Sequence, residues 1–467
     1  MNKYTFFLLL FLSGSSRAQL TLNEAINIGI NESHQGKNIA LNQKITDYKI
    51  AAFQSSLGWQ MTVNGQVPAY AKSNLSTVQN DGNIAFQPVN YNNSALGISL
   101  SKTIWQTGGE FQISSGLQRF DNFQSKHHLY NGIPIRLAFR QNITGYNAYK
   151  WKIKNNRLKK EINRRQSKID KMLLRINITN SFFDVLLAQN NISSNQSNLE
   201  LTQNLMNIAQ AKDSLGLISK KQFLQLKLQL KTAQSQLNIA QTNLQIARQD
   251  LESRLSNRIK IDQNLTIPSP PNTTLDIDSM IHFAQANRPE WLELRRRIQE
   301  KSEKVKALSR QYGPAIKLNA SLGLIRSDPE LAPVYQDAQQ DQSIGISFHI
   351  PIFDSHLKRN KILAAQTELM QQKNESQQSI LELENEITKL AREFQACQTR
   401  LAYAKEIRDM ATQNLQITTK TFKLGLTNIA ELNLAIQEKN RAYQNYIFEI
   451  KRYWLLYFEL IIESPQG

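Results

Sequence analysis

The chain has 467 residues with 56 Lys or Arg and 38 Asp or Glu, which gives a formal net charge of +18. This length permits two or three domains, and a mean hydropathy of −0.45 excludes a polytopic helical membrane protein. A basic charge is typical of nucleic-acid binding, but the basic residues form no single dense patch. We therefore expect a solvated surface or contact with anionic lipid headgroups, and no nucleic-acid partner.

Residues 1–18 have the pattern of a secretory signal peptide. Lys3 is followed by the apolar stretch 4–12, and small residues occupy positions 16 and 18. We expect cleavage before Gln19, because the apolar stretch is too short to anchor the chain in a bilayer. No later apolar run reaches 18 residues, so a membrane-embedded part of the mature chain would have to be a β-barrel.

The chain repeats itself in tandem. A shift of 255 residues places Leu20–Asn64 on Leu275–Asn319 without a gap, and a shift of 209 places Phe139 on Phe348. The two shifts differ by 46 residues, so the first half carries 46 extra residues between Asn64 and Phe139. We predict a first repeat at 19–267, a proline-rich linker at 268–274 and a second repeat at 275–463.

Alternation of apolar and polar residues predicts strands in both repeats. After a helix over Leu20–Ser56, the strands lie at about 58–142 and, in the second repeat, at about 315–353. The 46 extra residues contain two more alternating segments around the turn Thr107-Gly108-Gly109, which predicts an added hairpin.

The polar sides of these strands carry charged residues, namely Arg136, Arg140 and Lys317. A charged inner face with an apolar outer face favours a membrane barrel around water. A soluble sandwich with the apolar face inward is the alternative, since four to six strands are enough for either.

Apolar residues at helical spacing predict two helical hairpins, at about 148–258 and about 357–461. The first helix of each is about 65 residues, or roughly 100 Å, long. The glycine-containing turns at 213–219 (the first tip) and 422–428 (the second tip) reverse the chain. Helices of this length require an elongated coiled structure, and the single Cys397 lies on an apolar seam as a core residue.

These features, in this order and spacing, resemble the TolC family of outer-membrane channels over nearly the whole mature chain. Phe348–Phe353 resembles the family's strand-to-helix exit, and both tips resemble its helix-tip motifs. The resemblance implies a mainly α fold with a membrane β-barrel portion, in which three protomers with four strands each close a twelve-stranded barrel above an α-barrel. The added hairpin departs from this plan, and we expect it to extend the extracellular rim.

The resemblance also implies a function. The chain would be the outer-membrane channel of a tripartite efflux or type I secretion system, extending into the periplasm and conducting substrates passively from a periplasmic adaptor and an inner-membrane pump. The adaptor would dock at the tips, at Leu215, Gly216, Leu217, Ser219, Leu424, Gly425, Leu426 and Thr427.

A periplasmic gate is implied near the same tips. Glu431 matches the first of two acidic positions that ring the closed pore in the family, whereas Leu434 replaces the second. Thr427 and Gln222 stand where some members carry a basic and an acidic residue, so the latch would rest on neutral hydrogen bonds. The alternative for Glu431 is a solvated helix carboxylate. Arg136, Arg140 and Lys317 would face the lumen and favour anionic cargo.

The sequence contains no phosphate-binding or dinucleotide-binding glycine motif, and its six histidines lack zinc-site spacing. We therefore expect no enzymatic activity, no cofactor and no metal site. Two alternatives belong to other classes. A periplasmic adaptor would carry one hairpin with flanking β modules, and a structural coiled-coil fibre would lack the paired amphipathic strands.

Overall fold

The structure is a computed structural model that describes residues 20–271, 276–424 and 426–461. The expected signal peptide, Gly425 and part of the expected linker lie outside the described residues. The helices in these ranges are α1 (Leu22–Asn31), α2 (His34–Ser55), α3 (Ala148–Ser214), α4 (Lys220–Arg254), α5 (Ile277–Asn287), α6 (Pro289–Gln311), α7 (Leu331–Gln336), α8 (Leu357–Lys423) and α9 (Ile429–Ile461). The strands are β1 (Trp59–Gln66), β2 (Tyr70–Val78), β3 (Ile84–Ile104), β4 (Gly109–Asn122), β5 (His127–Asn142), β6 (Ala315–Asp328) and β7 (Gln339–His349).

Helix boundaries repeat at the intervals found in the sequence. Helices α3 and α8 have 67 residues each, and a shift of 209 carries both ends of α3 onto those of α8. The same shift carries the start of α4 onto the start of α9. A shift of 255 carries α1 and α2 onto α5 and α6 to within one residue. The duplication is therefore present in the elements as well as in the residue pattern.

The chain packs as two compact units, and each unit contains parts of both sequence repeats. Unit 1 takes its described residues from Met1–Gln43, Arg164–Arg288 and Leu381–Gly467, and unit 2 from Lys44–Asn163 and Pro289–Ile380. Among the described residues, no helix combines the length and the hydrophobicity needed to cross a bilayer.

A sharp corner separates α1 from α2, so the expected continuous helix over Leu20–Ser56 is wrong. The Ser33 hydroxyl accepts a hydrogen bond from the Gly36 amide at 3.0 Å and donates to the Gly29 carbonyl. Ser33 thus satisfies an amide of the first turn of α2 that would otherwise lack an acceptor. A side chain at Gly36 would collide with the carbonyl oxygens of Ile30 and Gly29.

The core of unit 1 is formed mainly by α1, α3, α4 and α9, with further side chains from α2 and from the segment that follows α4. Ile178, Phe182 and Phe183 of α3 are fully buried there. A side chain at position 29 of α1 would collide with Ile178 of α3, so α1 and α3 pack closely at Gly29. Helix α8 buries its predicted seam, including Phe394 and Cys397. The core members are Leu22, Ala25, Ile26, Ile39, Met172, Leu174, Ile178, Phe182, Phe183, Val185, Leu186, Leu251, Leu255, Ile261, Leu265, Ile447, Ile450, Trp454 and Phe458.

One carboxylate in unit 1 opposes folding. Burial raises the pKa of Glu459 above its ordinary value, and the negative charges of Glu393 and Glu386 raise it further. A raised carboxyl pKa means that the ionised form is disfavoured in the folded state. The resulting loss of stability is absent below the pKa that the carboxyl has in the unfolded chain, and it grows as the pH rises above that value.

We therefore expect Glu459→Gln to raise the thermal unfolding midpoint at pH 7.5. The gain should shrink as the pH falls and vanish below about pH 4.5, where the carboxyl is protonated in both states. Melting curves followed by circular dichroism from pH 4 to 8 measure this. Glu406→Gln, at an exposed position of α8, is the matched control and should show no such pH-dependent gain. A gain from Glu459→Gln that does not change with pH would contradict the electrostatic explanation.

The seven described strands form one antiparallel sheet in unit 2, in the order β1-β3-β4-β5-β6-β7. Strand β2 pairs with Ile84–Asn92 of β3, and β1 pairs with Ala95–Lys102 of the same strand. Strands β1 and β2 therefore share one position at the edge. The added hairpin, β3 and β4, lies between β1 and β5, so the sheet has six positions. The sheet thus has two more positions than the four-strand plan that the resemblance implies, and the expected extension of the extracellular rim stays a prediction.

The sheet has an apolar face and a polar face. Residues that lie opposite each other in an antiparallel pair share a face. On the apolar face, one row consists of Met61, Leu100, Ile113, Leu137 and Leu322, and it ends at Gln342 of β7. On the polar face, a neighbouring row consists of Thr62, Ser99, Ser114, Arg136, Gly323 and Asp341.

Candidate functional site

The first tip is a tight turn that exposes two leucines. Gly216 has φ of +69°, a left-handed conformation that a glycine adopts without strain. The Leu217 amide donates to the Lys212 carbonyl at 2.8 Å, which ends α3. Ser219 then caps α4 in a reciprocal arrangement, because its hydroxyl accepts from the Gln222 amide and the Gln222 side chain accepts from the Ser219 amide.

The second tip is built in the same way. The Leu426 amide donates to the Thr421 carbonyl at 3.0 Å, at the positions equivalent to Leu217 and Lys212. The Asn428 side chain accepts from the Glu431 amide at 2.9 Å and donates to the Glu431 carboxylate at 2.9 Å. Asn428 therefore caps α9, as Ser219 caps α4. The Thr427 hydroxyl lies 3.2 Å from that of Thr421.

Two of the three predicted gate residues, Gln222 and Glu431, occupy equivalent positions in the first turns of α4 and α9. Each hydrogen-bonds the residue that caps its own helix. This shared capping role was missed from the sequence, although the spacing of Ser219 and Gln222 is the signal for it. The gate role itself stays a prediction.

The tips are apolar surfaces. A leucine stands on each side of the glycine in both turns. These four side chains are between 70% and 74% exposed, and they are Leu215, Leu217, Leu424 and Leu426. Fully burying one leucine stabilises a fold or a complex by about 1.5–3 kcal/mol. All four leucines at the two equivalent turns are therefore left largely uncovered in the single chain.

Helix α4 also has an exposed apolar edge. Ala233, Leu237 and Ala240 are buried within unit 1. A second apolar row on the same helix is more than half exposed and consists of Leu224, Leu228, Ile239 and Ile246.

The predicted lumen residues Arg136, Arg140 and Lys317 all lie on the polar face of the sheet. Arg136 forms an ion pair with Asp341 at 2.5 Å. Arg140 lies opposite Glu110 of β4 and Asn319 of β6. Two of the three cations thus have a carboxylate near them, which reduces the preference for anions that the sequence alone indicates. In the part of the chain that the structure describes, no group of three His, Cys, Asp or Glu is placed to hold a metal ion.

Comparison with known proteins supports the predicted interpretation. Residues 280–448, which lie within the second predicted repeat, match the model of the outer membrane efflux protein family. No curated protein sequence matches the chain significantly. The match favours the predicted efflux-channel interpretation over the alternative of a periplasmic adaptor.

Solved structures share the fold at low sequence identity. The outer membrane protein VceC from Vibrio cholerae has a TM-score of 0.64 at 14% identity, covering 95% of both chains. The CmeC outer membrane channel from Campylobacter jejuni has a TM-score of 0.66 at 14% identity, covering 95% of this chain and 85% of CmeC. The open MtrE outer membrane channel from Neisseria gonorrhoeae has a TM-score of 0.63 at 12% identity, covering 95% of this chain and 88% of MtrE. The alternative of a structural coiled-coil fibre is excluded, because such a fibre would lack the sheet that this chain contains.

Proposed function

We propose that three copies of this efflux protein form a channel in the outer membrane that extends into the periplasm. Substrates would pass through it passively, delivered by an inner-membrane pump through a periplasmic adaptor in a tripartite efflux or type I secretion system. The observation that carries this proposal is the pair of equivalently built tips, each of which presents two exposed leucines at the end of a 67-residue helix.

The exposed edge of α4 supports self-association. Leu224, Leu228, Ile239 and Ile246 repeat along one helix, and a long row of exposed apolar side chains is unusual on a chain that works alone. A neighbouring copy can cover this edge while the opposite edge of α4 stays in its own core. Covering it in this way gives α4 a neighbour on each side, which is the arrangement of helices in a ring.

The tips would receive the adaptor. An amphipathic helical hairpin binds by placing apolar anchors in the grooves between helices. Leu215 and Leu217 on one tip, with Leu424 and Leu426 on the other, offer each copy two such contacts. Gly216 leaves open space beside the first pair, so a partner helix can approach closely.

The gate would lie beside these contacts. In a trimer, three Glu431 side chains and three Gln222 side chains would stand at the start of the returning helices. Their bonds to Asn428 and Ser219 are local to each tip. Docking of an adaptor would therefore shift each tip together with its gate residue, without an ion pair that must first be broken.

We expect the double variant Leu424→Asp, Leu426→Asp to lose adaptor-dependent transport while the trimer persists in the outer membrane. Two leucines contribute enough apolar burial that their loss weakens docking at least about tenfold. Susceptibility of a deletion strain carrying each variant, tested against a panel of dyes, detergents and antibiotics, measures transport. Chemical crosslinking to the adaptor measures docking.

The matched control is Leu331→Asp, Tyr335→Asp, which adds the same charge at two exposed side chains of the short helix α7. This control should transport normally. Wild-type docking and transport by the tip variant would remove the docking assignment. A wild-type chain that fractionates as a soluble periplasmic monomer would remove the channel proposal itself.

A further inference from the structure

The added hairpin continues the apolar face of the sheet. Leu100 of β3 and Ile113 of β4 lie in one row with Met61, Leu137 and Leu322. Side chains on this face, including Ile98 on the hairpin and Leu322 outside it, are exposed in the single chain. An apolar face that points away from the protein is the feature of strands that contact lipid.

The polar face also continues across the hairpin. Ser99 and Ser114 stand between Thr62 on one side and Arg136 on the other. The hydroxyls of Thr62 and Ser99 lie 2.9 Å apart, so the polar contacts cross from β1 onto the hairpin. The apolar and polar faces of the hairpin therefore coincide with those of the remaining strands. A rim extension in water would not require this match.

Both edges of the sheet are open to a further strand. Strands β1 and β7 each pair with a single neighbour in the described sheet. Every residue of β1 is exposed, and so is every residue of β7 except one. Neighbours alternate in direction across six positions, so β1 and β7 run in opposite directions. The β7 edge of one copy therefore suits the β1 edge of the next as an antiparallel pair.

One chain supplies too few strands for a membrane barrel of its own, since bacterial barrels of this kind begin at eight strands. A second and a third copy would supply the missing neighbours at both edges. An even number of positions per copy keeps every pair antiparallel around a closed ring.

We propose that the β3–β4 hairpin is part of the membrane wall, so that three copies close a ring of eighteen strand positions instead of twelve. This inference rests on the proposed trimeric channel. With strands about 4.8 Å apart and tilted by about 40°, the backbone ring widens from about 24 Å to about 36 Å in diameter. The wall then admits larger solutes than a ring with four strands per copy.

The proposal is tested by measuring which face of the hairpin contacts lipid and which contacts water. Single cysteines are placed at neighbouring positions of β3, Ile98→Cys and Ser99→Cys, in full-length protein reconstituted into lipid vesicles. A water-soluble maleimide that does not enter lipid is the probe. We expect Ser99→Cys to react at least about tenfold faster than Ile98→Cys, because a thiol in lipid has little thiolate and no access to the reagent. The unmodified chain is the blank, since its only thiol, Cys397, is buried and burial raises the pKa of that thiol.

Leu322→Cys and Ser321→Cys on β6 are the matched control, because this strand belongs to the wall with or without the hairpin. If the β6 pair shows the difference and the β3 pair reacts equally, the hairpin lies in water and the eighteen-position ring is wrong, while the channel stands. If the β6 pair also reacts equally, the membrane channel itself is wrong. Cryo-electron microscopy of the trimer gives a direct count, in which twelve wall strands with the hairpin outside would overturn the inference.

Discussion

Leu174→Ala is expected to destabilise the folded protein by about 2–5 kcal/mol. The Leu174 side chain is 1% exposed within the unit 1 core, where its neighbours come from several helices. Removing three carbons from such a site forfeits their burial and leaves a cavity that long, continuous helices cannot easily close. Denaturant unfolding of the detergent-solubilised protein, followed by circular dichroism, measures the loss.

Leu173→Ala is the matched control for this variant. It removes the same atoms from the adjacent residue of α3, whose side chain is 49% exposed. An alanine at either position favours helix equally, so helix propensity cancels in the comparison. The control should lose less than about 1 kcal/mol. Equal losses at the two positions would show that the assigned core face of α3 is wrong.

Gly36→Ala is expected to cost more than about 3 kcal/mol, although it adds a single methyl group. The added carbon would lie 2.7 Å from the Gly29 carbonyl oxygen and closer still to that of Ile30. Both obstacles are backbone atoms at the end of α1, so no side-chain rotation relieves the clash. The corner between α1 and α2 would have to open, and Ser33 would lose its bonds to both sides of it. Yield of folded trimer and its thermal midpoint measure this effect.

Gly97→Ala is the control for the glycine variant. Its added carbon would meet the Ser115 carbonyl oxygen at 3.5 Å, an ordinary contact distance, and its backbone is not left-handed. We expect a change of less than about 1 kcal/mol there. If Gly36→Ala folds as well as Gly97→Ala, the close approach at the corner is not present in the protein.

The site combines residues with structural and functional tasks. Ser219 and Asn428 fix the start of each returning helix, and the gate candidates Gln222 and Glu431 take part in the same caps. A change at either gate candidate would therefore alter tip stability as well as the pore. For this reason the exposed leucines, which make no such caps, are the cleaner positions for testing transport.

The sequence by itself determined the long helices, the tips between them and the repeat spacing. A glycine turn, a capping residue and an apolar period are local signals, and they act within a few residues of the position they define. The shift of 209 consequently located both ends of α8 from those of α3, and the exposed leucines at the tips were already among the candidate docking residues.

Other features depended on contacts between distant residues. The break at Ser33 depends on how closely Gly36 approaches the end of α1. The raised pKa of Glu459 depends on the burial of its side chain and on two carboxylates of another helix. The position of the added hairpin is the largest such case. Alternating residues show that a segment has two faces, but the alternation is the same at the rim and within the sheet. Only strand pairing, which joins residues far apart in the chain, placed β3 and β4 between β1 and β5 and set the width of the sheet.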